Sequence, residues 1–258
     1  MQTSTVFVTL CDASYFPRAL DTLKDLRGLG RWWGDTVLVT VDFEPDAASL
    51  EGLAVETVSF ERIPTSELLA AYAAQPLTRS DGREFSKLAQ WEKLHLFEPY
   101  FRRWSRCVFL DAGLRVLDDV RYLLSVPWEG RFLSSEGSGR LGNQLEPEGN
   151  PEALRRFLED YGADALTEAD FLNCLWILDT ALLARVSVSE FIDVMNRYPL
   201  WLCNEMSVMA VVLHLRHRVY HPLPRFASNG KYLFDWCELN NPGTRWDQYC
   251  LLKYPATL

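Results

Sequence analysis

Three short stretches of this chain carry side chains that could do chemistry on a charged ligand. In Cys11-Asp-Ala-Ser-Tyr15, the carboxylate of Asp12 can accept the ring NH of a pyrimidine or a ribose hydroxyl, and Tyr15 can stack on a base. Asp12 or Ser14 can equally cap the helix that follows, with no ligand at all. In Ser105-Arg-Cys-Val-Phe-Leu-Asp-Ala-Gly113, an apolar strand over 107–110 ends in an acid, with a glycine two positions on. Ligands collect at the carboxyl ends of strands in open α/β sheets. A carboxylate there can hold Mn²⁺ or Mg²⁺, which prefer oxygen ligands and bridge two phosphates. Asp-x-Gly is also ordinary turn chemistry, so Asp111 alone supports both readings. In Glu84-Phe-Ser-Lys-Leu-Ala-Gln-Trp91, Lys87 precedes that strand by one helix length. A basic group beside an acidic strand end is the arrangement expected around a diphosphate.

Glu205 is a further candidate. With Asn204 as N-cap it falls in the first turn of a helix, where the dipole favours the ionised form. Open to a pocket, it can orient an acceptor hydroxyl or act as base; otherwise it only complements the dipole. Asp118-Asp119 follows its strand by too far to act with Asp111 and reads as a helix start.

The elements that must position these residues follow from periodicity. Residues 5–10 read as a first strand. Pro17 opens an amphipathic helix in which Ala19, Leu20, Leu23 and Leu26 recur at helical spacing, and Gly28 and Gly30 end it. Runs at 37–41 and 55–60 are further strands, so the chain begins with a βαβ unit. A short helix is bracketed by Pro64 and Pro76. One helix is expected over 84–100, with Phe85, Leu88, Trp91, Leu94 and Phe97 as its apolar stripe and Lys87 off it. Residues 131–135 read as a strand. Glycine-rich 136–150 reads as a mobile loop that could close as a lid. A helix capped by Asn150 runs to 161, a strand over 171–178 carries Asn173, and helices follow over 189–198 and 204–215. The last forty residues show little periodicity and read as a tail folded back over the body.

At 258 residues the chain can bury a sizeable core as one large α/β domain or two small ones. The loosening near residue 120 reads as two halves of one domain. A net charge of −9 opposes broad binding to nucleic acid or anionic membrane, but not a small anion held by local cations. Nine tryptophans imply a bulky core or stacking surfaces. Cys11, Cys107, Cys174, Cys203, Cys237 and Cys250 are scattered, with no CxxC pair, and read as buried free thiols. The first residues read as a strand rather than a signal peptide. No apolar run reaches the length of a transmembrane helix, and the expectation is a reducing cytoplasm.

Taken together, Val-Thr-Leu-Cys-Asp-Ala-Ser-Tyr15, Ser-Lys-Leu-Ala-Gln-Trp91 and Ser-Arg-Cys-Val-Phe-Leu-Asp111 resemble, in order and spacing, the retaining glycosyltransferases of the glycogenin type. Phe171-Leu-Asn-Cys174 resembles that family's Phe-Asn-(Ala/Ser)-Gly strand, and Asn204-Glu205 stands where it has Asp-Gln. The resemblance covers roughly residues 5–215 and is closest over 84–118. It implies one α/β domain of GT-A type, a mixed, mostly parallel sheet flanked by helices. Residues 1–120 would be the nucleotide-binding half, and 121–258 the acceptor side and tail. It further implies transfer of a sugar, with retention, from a nucleoside diphosphate sugar, most often a uridine one, to a hydroxyl acceptor that is a glycan, a protein or a small molecule. Asp12, Ser14 and Tyr15 would face the nucleoside, and Lys87 the diphosphate or sugar. Asp111, Ala112 and Gly113 would form the metal-motif turn, with Asn173 and Glu205 near donor sugar and acceptor.

Two departures bear on the metal. The family's motif is Asp-x-Asp, but Gly113 replaces the second acid. An ion can still sit on Asp111, phosphates and water; alternatively Lys87, Arg115 or Lys231 replaces it, since cations stabilise a departing diphosphate. The family's late metal-ligating histidine corresponds loosely to His221, which is followed here by Pro-Leu-Pro, with Gly230-Lys231 further on. Two other readings compete: a GT-A-like protein that binds nucleotide or a partner without catalysis, and a phosphohydrolase using Asp111 as nucleophile. The latter also wants a second acid where Gly113 stands.

Overall fold

The computed structural model describes residues 4–79, 82–146, 148–236 and 245–253. Its strands are β1 (Thr5–Asp12), β2 (Asp35–Val41), β3 (Glu56–Ser59), β4 (Arg106–Leu110), β5 (Leu114–Val116), β6 (Phe132–Arg140), β7 (Ala169–Asp179), β8 (Tyr220–Pro222), β9 (Tyr232–Trp236) and β10 (Tyr249–Lys253). The α-helices are α1 (Phe16–Arg27), α2 (Ser66–Ala74), α3 (Arg83–Ser86), α4 (Arg121–Leu124), α5 (Pro151–Tyr161), α6 (Val188–Arg197) and α7 (Glu205–Met209). Seven strands form one sheet in the order β3-β2-β1-β4-β7-β6-β8, and β5-β10-β9 form a second. In the large sheet β1 pairs in parallel with β2 and β4, β2 with β3, and β6 with β8; only β7 runs antiparallel to its neighbours β4 and β6. The mixed, mostly parallel α/β architecture is as the sequence implied.

The β1, β2 and β4 strands are apolar along almost their whole length because both faces of the sheet are covered. Ala19, Thr22, Leu23, Leu26 and Arg27 of α1 are buried, the stripe a helix lays on a sheet. Asn150 Oδ1 accepts from the Ala153 amide at 3.0 Å and caps α5 as expected. On one side of the sheet a single cluster includes Trp91, Phe97, Phe132, Phe171, Trp176 and Trp201, so much of the tryptophan content is core. The five described cysteines are free thiols, four of them buried; Cys237 lies outside the described residues.

Four expected elements differ. The single helix over 84–100 is broken: α3 stops at Ser86, and Leu88–Phe97 and Pro99–Arg103 are 3₁₀. Trp91 to Phe97 are all buried, so packing from every side replaces the one-sided stripe that an amphipathic α-helix needs. The expected loop over 136–150 is partly ordered structure: β6 runs to Arg140, with Glu136 opposite Phe171, and Leu141–Gln144 is a 3₁₀ turn. Its glycines have a steric cause. A Cβ on Gly137 would fall 1.9 Å from Asp170 Oδ1, and the Gly139 amide donates to that same atom at 3.1 Å. Finally, the C-terminal stretch is not a featureless tail, because β10 pairs antiparallel with β5 and places Lys253 opposite Leu114. The expected helix over 204–215 is one α-helical turn, α7, continued by a π-helical segment Ala210–Arg216.

Candidate functional site

From β1 the chain adds β2 and then β3 to one side, whereas β4 lies on the other. The strand order therefore reverses between β1 and β4, and the crevice at their carboxyl ends is where open α/β sheets bind ligands. Asp12 ends β1 and Asp111 directly follows β4.

Asp111 carries two ammonium groups. Lys93 Nζ is 3.3 Å from its Oδ1, and Lys253 Nζ is 2.6 Å from its Oδ2. Lys253 also donates to the Ala112 carbonyl. Lys93 reaches Glu205 Oε1 at 3.3 Å as well. The lysine side chains are 6% and 7% exposed and Glu205 1%, while Asp111 keeps 23%. Asp111 is thus the member of this cluster that remains open to solvent. Burial favours its neutral form, but the attraction of Lys253 and Lys93 prevails and holds its carboxyl down at about 2. Burial likewise opposes the charge on Lys93, yet Asp111 and Glu205 raise it above the ordinary lysine value. Burial pushes Glu205 up, against the pull of Lys93. Its Oε2 is buried without a hydrogen-bond partner, a cost that core packing alone would avoid.

Local backbone features aim these groups. A 3₁₀ helix has three residues per turn, so Gln90 and Lys93 stand above one another on one face, with Lys87 just outside as the residue before the helix. Asn204 Nδ2 donates to Gln90 Oε1 at 3.0 Å and approaches the Lys87 carbonyl at 3.5 Å. Asn204 makes no side-chain cap and holds a φ of 48°, a left-handed conformation that costs a non-glycine residue about 1–3 kcal/mol. This junction starts α7 with Glu205 against Lys93. On β7, Trp176 faces Ser134 but Leu172 faces Ser135, so Asn173, Cys174 and Leu175 bulge from the pairing with β6, while Leu175 keeps its place opposite Leu110 of β4. Such bulges re-aim side chains, and Asn173 Nδ2 here donates to Glu205 Oε1.

Gly113 adopts a φ of 84°, and a Cβ there would lie 2.4 Å from Arg18 Nε and Nη2. Its amide donates to Thr22 Oγ1 at 3.0 Å. The Arg18 guanidinium, from the first turns of α1, therefore fills the space of a side chain at 113. Its Cζ is 5.9 Å from the centre of the Tyr15 ring. Asp12 Oδ1 accepts from Ser14 Oγ at 2.6 Å and from the Tyr15 amide at 2.9 Å, so its carboxylate shapes the turn that presents the half-exposed Tyr15 ring.

The structure thus brings Asp12, Ser14 and Tyr15 to the end of β1, and Asp111, Ala112 and Gly113 to the end of β4, with Asn173 touching Glu205. It does not bring the other expected cations to Asp111. Lys87 is exposed and has no ion-pair partner among the described residues. Arg115 pairs with Asp25, and Lys231 pairs with Asp118 at 2.6 Å, at the opposite end of β9 from the level of Lys253. His221 is exposed on β8, opposite Leu133, which faces Ile177 and through it Val108, three strands from β4. Sequence reasoning missed Lys93, Lys253 and Arg18. The only signal for Lys253 was its place at the end of the apolar run Tyr-Cys-Leu-Leu-Lys253.

A divalent ion does not fit these residues as they stand. Both oxygens of Asp111 face ammonium groups, the place of a second acid is filled by Arg18, and among the described residues no three His, Cys, Asp or Glu side chains converge on a common point.

No protein-family model and no curated protein matches the sequence. Solved structures do match. WbbM, a bifunctional glycosyltransferase, superposes with a TM-score of 0.62 at 12% identity over 100% of this chain and 46% of its own. The galactosyltransferase LgtC, solved with donor and acceptor sugar analogues, gives 0.59 at 12% identity over 96% of this chain and 86% of its own. Core-mannan synthase A from Aspergillus fumigatus, in a form with Mn and GDP, gives 0.59 at 9% identity over 86% and 73%. The chain has the GT-A glycosyltransferase fold. It spans about half the length of WbbM. No helix among the described residues is long and apolar enough to cross a membrane.

Proposed function

We propose that this GT-A chain, working as one domain, transfers a sugar from a nucleoside diphosphate sugar, a uridine donor being the first choice, to a hydroxyl acceptor with retention. The observation that carries the reading is an acidic strand end, Asp111, at the switch point of a GT-A sheet, beside the Asp12-to-Tyr15 turn on the neighbouring strand. In this reading Tyr15 stacks on the base and Asp12 and Ser14 border the nucleoside. Ala112 and Gly113 line the diphosphate, and Lys87 flanks the mouth of the crevice. Asn173 and Glu205 shape the donor-sugar side.

Glu205 is too deeply buried against Lys93 to receive a proton from an acceptor, and both oxygens of Asp111 face ammonium groups. We assign both as positioning residues. The bond between the anomeric carbon and the phosphate oxygen breaks with its electron pair going to the diphosphate. The acceptor oxygen bonds to that carbon from the same face, and its proton passes to the departing phosphate oxygen. Cations fixed around that oxygen before reaction lower the barrier because they need no reorganisation.

The test is incubation with a panel of UDP- and GDP-sugars, following release of nucleoside diphosphate and transfer to simple glycosides. Release from one donor, accelerated by an acceptor, is expected. Nucleotide binding with no turnover of any donor would instead establish the non-catalytic binding protein.

A further inference from the structure

We propose that this chain holds the donor's diphosphate with the Arg18 guanidinium at Gly113 and needs no divalent ion; the proposal rests on the glycosyltransferase reading above. Two independent features lead there. The first is the state of Asp111. An ion bound to its carboxylate would have to share its oxygens with the ammonium groups of Lys253 and Lys93, which repel it, or displace one of them and leave a buried ammonium without its partner, which is strongly unfavourable. The lysines occupy the carboxylate as a metal would, with an ammonium group on each of its oxygens.

The second feature is the exchange at position 113. Where a second carboxylate would stand, the backbone is a glycine in the left-handed region, and the guanidinium of Arg18 lies where a Cβ at 113 would fall. An acid has been replaced by empty space, and a cation occupies that space. A guanidinium is planar, permanently charged and matched to two phosphate oxygens at once. Arg18 lies beside Tyr15, the candidate base-stacking ring, so nucleoside and diphosphate fall on consecutive parts of the same turn and helix. Behind Ala112 the neighbouring Lys93, Lys253, Asp111 and Glu205 form a buried ion-paired group, and Lys253 donates to the Ala112 carbonyl, which holds the turn that carries Gly113.

The experiment is calorimetric titration of UDP and GDP into the purified protein, in EDTA and separately in Mn²⁺, with inorganic pyrophosphate as competitor, repeated on Arg18→Ala and Arg18→Lys. The expected result is equal nucleotide affinity with and without metal and displacement by pyrophosphate. Arg18→Ala should weaken binding by about tenfold or more, with partial recovery in Arg18→Lys, as loss of a charge-assisted bidentate contact predicts. Nucleotide binding that requires Mn²⁺, or that is unchanged in Arg18→Ala, overturns the proposal and leaves the glycosyltransferase reading standing. Absence of binding by the wild-type chain in both conditions overturns the two together. The EDTA and Mn²⁺ comparison uses the wild-type protein, so it decides the matter even if a variant fails to fold.

Discussion

At the scale of single residues, Asp111 is held by two lysines that have no other carboxylate of comparable exposure to turn to. Replacing it by asparagine keeps the shape and removes the charge, so Lys93 and Lys253 remain buried with only Glu205 between them. Asp111→Asn should cost about 3–5 kcal/mol of stability, as removing one partner of a buried ionic group does, measured by urea denaturation. The pH dependence follows from the same pairing. The folded-state value of about 2 lies below the ordinary 3.8, so the unfolded chain takes up the proton first. The stabilisation from this carboxylate is complete above 3.8 and drains away as pH falls toward about 2. Melting temperature should fall across that window more steeply in the wild type than in Asp111→Asn. Parallel curves would remove Asp111 from the ion-pair cluster.

At the scale of elements, the site depends on irregular pieces more than on regular ones. The β1, β2 and β4 strands, α1 and the cap at Asn150 could be read from the sequence because their cause is local: apolar runs, a 3.6-residue stripe, an Asn before Pro. Asp111, the turn at Asp12 and the start of α7 at Glu205 came from the same reading, whereas Asn173 as a site residue came from the family resemblance. Lys93 did not, because the segment around it is 3₁₀ and buried all round, and a stripe drawn for an α-helix places lysine outside. Lys253 did not, because its position is set by antiparallel pairing with β5, more than 130 residues earlier in the chain. Arg18 did not, because its role appears only when Gly113 is brought against it. The glycines of 136–150 misled in a related way, since composition cannot tell a flexible glycine from one required by a neighbour. Gly137→Ala tests this: a Cβ 1.9 Å from Asp170 Oδ1 pushes that carboxylate off the Gly139 amide and Gln144 and should cost about 1–3 kcal/mol for the two hydrogen bonds. The melting temperature reads it out, and an unchanged value would return 136–150 to a flexible loop.

At the scale of the whole molecule, a chain of net charge −9 concentrates fixed cations at one sheet edge. The bulk charge opposes broad binding to nucleic acid, while Arg18 stands at the topological switch point beside the ion-paired Lys93 and Lys253. That distribution suits a small anionic ligand, and the proposed ligand there is a nucleoside diphosphate sugar. The same large sheet brings together β4, β7 and the start of α7, and the small sheet contributes Lys253, so the candidate site draws on both. The most direct measurement is a crystal structure of the chain grown with UDP and MnCl₂. The diphosphate should lie against Gly113 within hydrogen-bond reach of Arg18, with Lys253 still on Asp111 and no metal density between them. A manganese ion on Asp111 with Lys253 displaced would contradict the cationic site, and a nucleotide bound away from the β1–β4 crevice would contradict the glycosyltransferase reading itself.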